Sequence, residues 1–533
     1  MRVLASAMLV WTMLAGAMLA GAQGPPAGYR IAGRVIDTVS GDPVARAVVS
    51  VLTPEDYKIS ASAVTDAEGR FSFTGIMGGK YPLDAAKRGY RTSFYDEHEE
   101  FNSAIVTGEG QATDDLVFRL PPAAVLRGVV TGEGGDPVEN AQVMLFKRRT
   151  EGENTGRMEQ VGNTPTDDTG TYELSDLPPG EYFIAVKGDP WYAQHPPRSV
   201  SEEQSPLDVA YPITFYDSTI DENAATPLTL NWGSHEEADI NMHAAPAVRF
   251  MLPVMPGARN RTGIVVQQKV FGNTVNQLTV TAPEGPATGS IEVPGLAPGT
   301  YEVEFGNPPR RMTVNATSAE VDLNASSGVV SPGVSGTLVM AGGGAVPDDI
   351  SLVFTSVDES HAAMQAEARH GRFNLEAVPP GTWTVAAGSS KQTLAVLAIA
   401  DGGAMAAGDK ITVRDRPVQA TVMVGRAQTR VEGFAKTGGK GVSGAMIMLV
   451  PKETRLYPAL VRRDQSDLDG SFSLRDVPDG QYTVIAIQDG WRIDWQHRET
   501  IERWLRGGVP VSINSQSAAT VNLSQAVEAV VAR

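Results

Sequence analysis

Apolar and polar residues alternate along most of this chain with a period of two, the spacing that gives a β-strand one buried and one solvent face. The runs Ile31-Ala-Gly-Arg-Val-Ile36, Leu126-Arg-Gly-Val-Val130 and Val431-Glu-Gly-Phe434 each set a glycine inside such a strand, and each reads as the first strand of a unit. The turns Gly41-Asp-Pro-Val-Ala-Arg-Ala47, Gly135-Asp-Pro-Val-Glu-Asn-Ala141 and Gly441-Val-Ser-Gly-Ala445 follow, leading into the apolar strands at 48–52, 143–146 and 446–450. Next come Thr65-Asp-Ala-Glu-Gly-Arg-Phe71, Asp167-Asp-Thr-Gly-Thr-Tyr172 and Ser466-Asp-Leu-Asp-Gly-Ser-Phe472. In each, an Asp caps its own turn, a Gly takes positive φ, and a ring two residues on points inward from the next strand.

A fourth motif, an aromatic two residues after a turn glycine, occurs five times: Gly79-Lys-Tyr81, Gly180-Glu-Tyr182, Gly299-Thr-Tyr301, Gly381-Thr-Trp383 and Gly480-Gln-Tyr482. Five copies imply five units, at 24–120, 121–246, 247–328, 329–427 and 428–533, preceded by a signal peptide at 1–22. That leader has Arg2, an apolar run to Ala20, and small residues at Ala20-Gly21-Ala22. The first, second and fifth units carry all four motifs. The third keeps mainly its Pro-Gly-Thr-Tyr turn, and the fourth keeps Ser335-Gly-Thr-Leu338, Gly371-Arg-Phe373 and its Trp turn. With 55 Gly and 35 Pro the composition also favours short strands and tight turns over long helices. The expected fold class is all-β, a tandem array of about five immunoglobulin-like or prealbumin-like β-sandwiches.

The order of these motifs resembles the carboxypeptidase-regulatory-like and Cna B-type domains, bacterial relatives of the starch-binding-like sandwiches. The resemblance implies a small prealbumin-like sandwich of about seven strands per unit. It is nearly silent on function, because the shared residues are turn chemistry. Cna B-type domains can carry a lysine isopeptide crosslink from the first strand, but the first strands here, at 29–37, 125–131 and 429–434, contain no lysine.

Charge and candidate chemistry narrow the function. The formal net charge of −18 disfavours nucleic acid. The absence of cysteine excludes disulfides, thiolate metal sites and a lipid-anchored N-terminal Cys, and fits a bacterial exported protein with no membrane span after leader cleavage. Neither His-x-x-Glu nor His-Glu-x-x-His occurs, nor Gly-x-Ser-x-Gly, nor a phosphate-cradling loop. His98-Glu-Glu and His235-Glu-Glu read as solvated loop charge, and Asp467, Asp469 and the pair Asp167-Asp168 as turn caps rather than calcium ligands. No catalytic residue, metal or cofactor is assigned.

The clustered aromatics outside the expected cores are Trp191 with Tyr192, and Trp491 with Trp495, four residues apart and so on one face if the strand continues. These four form a candidate ligand platform on which a sugar ring could stack. At 500–505, Ile501, Trp504 and Leu505 have helical spacing after a cap at Thr500, which predicts a short helix that buries Trp504. The leading functional expectation is a secreted structural or binding protein, an extended rod or bent string contacting envelope proteins or glycans. A carbohydrate-binding or adhesive protein using the tryptophan loops, and an accessory subunit of an extracellular hydrolase, are the alternatives.

Overall fold

The computed structural model describes residues 28–149, 156–196, 204–253, 263–281, 290–305, 310–323, 329–357, 361, 363–514 and 519–532. The leader expected at 1–22 lies outside them. The described residues are all-β apart from one α-helix and short 3₁₀ turns.

One strand plan recurs five times. In the first unit, strand Tyr29–Asp37 pairs antiparallel with Arg70–Ile76 and parallel with the late strand Leu116–Leu120. Facing this sheet is a second one, ordered Ile59–Val64, Val48–Leu52, Leu83–Ala86, Ser93–Phe94. The same antiparallel-plus-parallel arrangement surrounds Ala124–Thr131, Val248–Pro253 and Val334–Met340. It surrounds the second half of Val418–Thr437 as well. The third unit, faint in motif, therefore keeps the whole plan. Apolar residues on the inward faces close a core between the two sheets of each unit.

The repeated motifs have physical reasons in this plan. In the first, second and fourth units the glycine of the first strand lies where the parallel strand crosses closely: a methyl group at Gly33, Gly128 or Gly336 would come within 2.2, 2.1 or 1.8 Å of the carbonyl oxygen of Leu116, Ala238 or Ala420, whereas at Gly433 of the fifth it would meet the Phe472 ring at 2.8 Å. The hydroxyl opening each Asp turn pins the loop after the first strand. Thr65 Oγ1 accepts from Ala47 N and donates to Val44 O, Thr166 Oγ1 does the same with Ala141 and Val138, and Ser466 Oγ with Ala445 and Val442. The ring after the turn glycine reaches back four residues to a carbonyl. Tyr182 Oη donates to Pro178 O, Tyr301 Oη to Ala297 O, Trp383 Nε1 to Pro379 O and Tyr482 Oη to Pro478 O, at 2.6 to 3.0 Å. All four rings are buried. In the first unit Pro82 interrupts the strand, and Tyr81 is only half-buried.

Neighbouring units are clasped rather than loosely linked. Phe271, at a hairpin tip of the third unit, packs on Phe146, Phe183 and Phe215 of the second, and buried Arg249 bonds Asp208 across the same boundary. His361 stacks on Trp383 and bonds Arg311, joining units three and four. Strand Val418–Thr437 is at once the last strand of the fourth unit and the first of the fifth. The helix is Arg498–Leu505, opening two residues before the expected cap, because Thr500 Oγ1 turns back to the carbonyls of Asp494 and His497 instead. Its Ile501 and Trp504 are buried on the outer sheet face of the fifth unit, against Met448 and Ile485.

Candidate functional site at the joint of the first and fifth units

The fifth unit docks on the first, so the five units form a closed circuit of contacts in place of the expected rod or string. The joint is built on the turn Asp467-Leu468-Asp469-Gly470. Its backbone matches the equivalent turns of units one and two: the turn Gly donates to the turn Asp carbonyl at 3.0, 3.0 and 2.8 Å, and φ is +72°, +75° and +82° at Gly69, Gly170 and Gly470. Leu468, however, packs into the core of the first unit, and its N–H donates to Ala104 O at 3.2 Å.

Polar groups surround this knob. Asp467 Oδ1 accepts from Ala104 N at 3.1 Å and Oδ2 from Lys80 Nζ at 2.6 Å. Lys80 also reaches Ser471 Oγ at 2.5 Å. Ser103 Oγ lies 3.1 Å from Ser466 O and 3.0 Å from Asp96 Oδ2. Gln465 Nε2 donates to Asp96 O at 2.5 Å, and its Oε1 lies 3.2 Å from His98 Nδ1. Arg463 pairs with Glu99 at 2.6 Å. At the apolar end, Trp491 meets two rings of the first unit: His98 stacks on it at 5.3 Å with planes 11° apart, and Phe101 packs at 5.6 Å, tilted by 32°.

Burial dominates the electrostatics here. It pushes the Asp464 carboxyl up to about 7 and also raises Asp467, whose upward shift is opposed by the Lys80 ammonium. In the exposed turns the balance reverses. Asp66 is held below the ordinary carboxylate value chiefly by the N–H of Arg70, and Asp167 chiefly by the hydroxyl of Thr169. Beside the joint, where units one, two and five meet, lies a cleft of about 550 Å³ lined by Glu99, Lys147, Arg149, Arg463, Asp494 and Trp495.

The candidate platform residues are separated by the fold. Trp191 is 80% exposed, with Tyr192 edge-on at 5.7 Å and its hydroxyl 3.2 Å from Glu133. Trp491 and Trp495 do not share an exposed strand face. The strand Gly480–Gln488 ends before them, Asp489 at φ 55° reverses the chain, and Trp491 sits in a 3₁₀ turn at 9% exposure. Trp495 is half-buried, with the Arg463 guanidinium 4.1 Å over its ring. His98, read as loop charge, belongs to the joint, whereas His235 is exposed in the short strand His235–Glu237. Among the described residues no grouping of His, Asp and Glu could hold a metal ion, and the oxygens of Asp467 and Asp469 are taken by Ala104, Lys80 and Ser471. Nothing local announced the joint. Its one sequence signal is Leu468, a large apolar side chain where the other two turns carry the small Ala67 and the charged Asp168.

Fold and site together define a tandem β-sandwich protein closed on itself. Two of its units match a family model: residues 30–120 and 125–243 each match the carboxypeptidase regulatory-like domain. No curated protein matches the sequence. Among solved structures, the Bacillus anthracis TIE protein is 11% identical, over 75% of each chain, with a TM-score of 0.17. A streptococcal ancillary pilin is 13% identical over 56% of this chain and 98% of its own, with a TM-score of 0.19. The shaft pilin SpaA of Lactobacillus rhamnosus GG is 11% identical over 40% and 97%, with a TM-score of 0.20. Scores this low carry no argument about arrangement or activity.

Proposed function

We propose that this is a secreted, non-catalytic structural or binding protein of the bacterial envelope or the space outside it, whose sandwiches are held in one closed assembly that presents a fixed surface to proteins or glycans. The observation that carries the reading is the docking of Leu468 against the core of the first unit, which spends an apolar knob and a half-exposed ion pair on shape rather than on chemistry. The leader at 1–22 supports export, and among the described residues no helix is long and apolar enough to cross a membrane. Small-angle scattering of the mature chain tests the closed form: a compact particle is expected, expanding in Leu468→Asp with unchanged β circular dichroism. Equal, extended dimensions for both proteins would refute it. Fractionation of cells expressing the chain with and without residues 1–22 tests export, and retention of both forms in the cytoplasm would remove that part.

The exposure of Trp191 favours one second reading, saccharide contact through a free indole face. On a glycan array the native chain would bind and Trp191→Ala would lose the signal. Equal binding by the two, or none by either, would end this reading.

A further inference from the structure

Strand Ile59–Val64 lies at the outer edge of its sheet, and among the described residues its strand partner is Val48–Leu52. Thr65 N donates to Ala47 O at 2.9 Å, so alternation turns the backbone groups of Ala61 and Ala63 inward and leaves those of Ser60, Ser62 and Val64 facing out. Exposed edges of this kind are templates for another strand, and proteins usually blunt them with charge, proline or a covering element. Residues 59–64 carry neither charge nor proline, and their one irregularity is a register shift at the Ser60 end. Ile59 and Val64 are 66% and 65% exposed. The matching edge of the second unit, Met158–Pro165, is blunted by Glu159, paired with Arg149, and by Pro165.

We propose that two copies of this chain associate through antiparallel pairing of Ile59–Val64 with itself about a two-fold axis at Ser62. This register sets Ser62 opposite Ser62 and Ser60 opposite Val64, so every outward backbone group finds a partner. The ladder ends at these pairs, because beyond the register shift Lys58 O accepts from Thr53 N inside the hairpin and at the other end Asp66 N donates to Arg70 O. The contact is isologous and closes at two copies. One short strand pair covers less surface than the roughly 1,200–2,000 Å² of a stable interface, so the dimer is weak and concentration-dependent.

The chain has no cysteine, so Ser62→Cys places a single thiol at the axis. Cα atoms of such a directly hydrogen-bonded pair lie about 5.5 Å apart, within disulfide reach. Oxidation of the full mature chain should give a covalent dimer that increases with concentration, while Asn163→Cys, on the matching edge of the second unit, should stay monomeric. In sedimentation equilibrium, Ser62→Lys should halve the mass relative to the native chain at a concentration where that chain is dimeric, and Ser62→Thr should not, with circular dichroism unchanged in both. A native chain of monomer mass at every concentration, a Ser62→Lys chain that still dimerises, or equal crosslinking by the two cysteine variants would overturn the proposal.

Discussion

The turns at Asp66 and Asp467 share a backbone and differ in everything their side chains do. In the first unit Asp66 Oδ1 accepts from the N–H groups of Glu68 and Arg70 within its own turn, and the turn stands in water. The second unit repeats this with Asp167, Thr169 and Thr171. In the fifth unit the capping of Ser471 N passes to Asp469, which frees the Asp467 carboxylate to bind another unit. One apolar residue, Leu468, and one displaced cap thus convert a solvated turn into a joint.

The largest expected effect concerns what the turns share. Alanine at Gly470 would need a left-handed φ and would bring its methyl group to 2.4 Å from Ala435 O. Gly69 and Gly170 meet Val35 O and Val130 O at 2.5 and 2.4 Å. Each substitution should cost its own unit about 3 kcal/mol in thermal denaturation. A much smaller cost at Gly470 alone would mean that the docked turn relaxes where the free ones cannot.

Leu468→Asp gives the fifth turn the residue that the second already has, and it should weaken the joint by about 2–3 kcal/mol. Quenching of Trp491 fluorescence by iodide would report the opening. Ala67→Asp, the same change in a solvated turn, should leave Trp491 protected.

The pH dependence should have opposite signs in the two places. A carboxyl pushed up to about 7, as Asp464 is, contributes stability that is present in full below its ordinary value of 3.8 and is lost as pH rises through about 7. From pH 5 to 7.5 the fifth unit should therefore lose on the order of 2 kcal/mol, and Asp464→Asn should remove that slope. Asp66 and Asp167 are held below 3.8, so what they contribute is present above that value and lost only on further acidification. Melting curves at stepped pH would expose a shared sign, if there is one. The smallest effect is Thr169→Ala, below about 0.5 kcal/mol, because that hydroxyl caps a turn already held by two backbone donors.

The units were legible because their determinants are local. A glycine under a crossing carbonyl in the first, second and fourth units, a hydroxyl four residues before a Gly in the first, second and fifth, and a ring two residues after a Gly in all five leave repeated local traces. The third unit kept only the ring of those traces and still has the plan, since alternation of apolar residues such as Val248, Phe250 and Leu252 suffices to fill a core. The joint was not legible. Leu468 is a single apolar residue in a polar turn, and the residues that receive this turn, Lys80, Ser103 and Ala104, lie more than three hundred positions away along the chain. The tryptophans were misplaced for a related reason. Continuing a strand past Gln488 puts Trp491 and Trp495 on one face, but the left-handed Asp489 ends the period and sends Trp491 under His98. Trp504, governed by helical spacing within a few residues, was read correctly.

The shared strand Val418–Thr437 has a mechanical consequence. At about 3.3 Å per residue its twenty residues span at most roughly 65 Å with no linker between the units, interrupted only by register shifts at 427–431, so the fourth and fifth units are coupled through one continuous strand. While Leu468 is seated, that link belongs to a closed linkage in which no articulation can bend without the others. Once it is unseated, the fourth and fifth units still move together, and their contact with the third, where His361 meets Arg311, becomes the joint about which they turn.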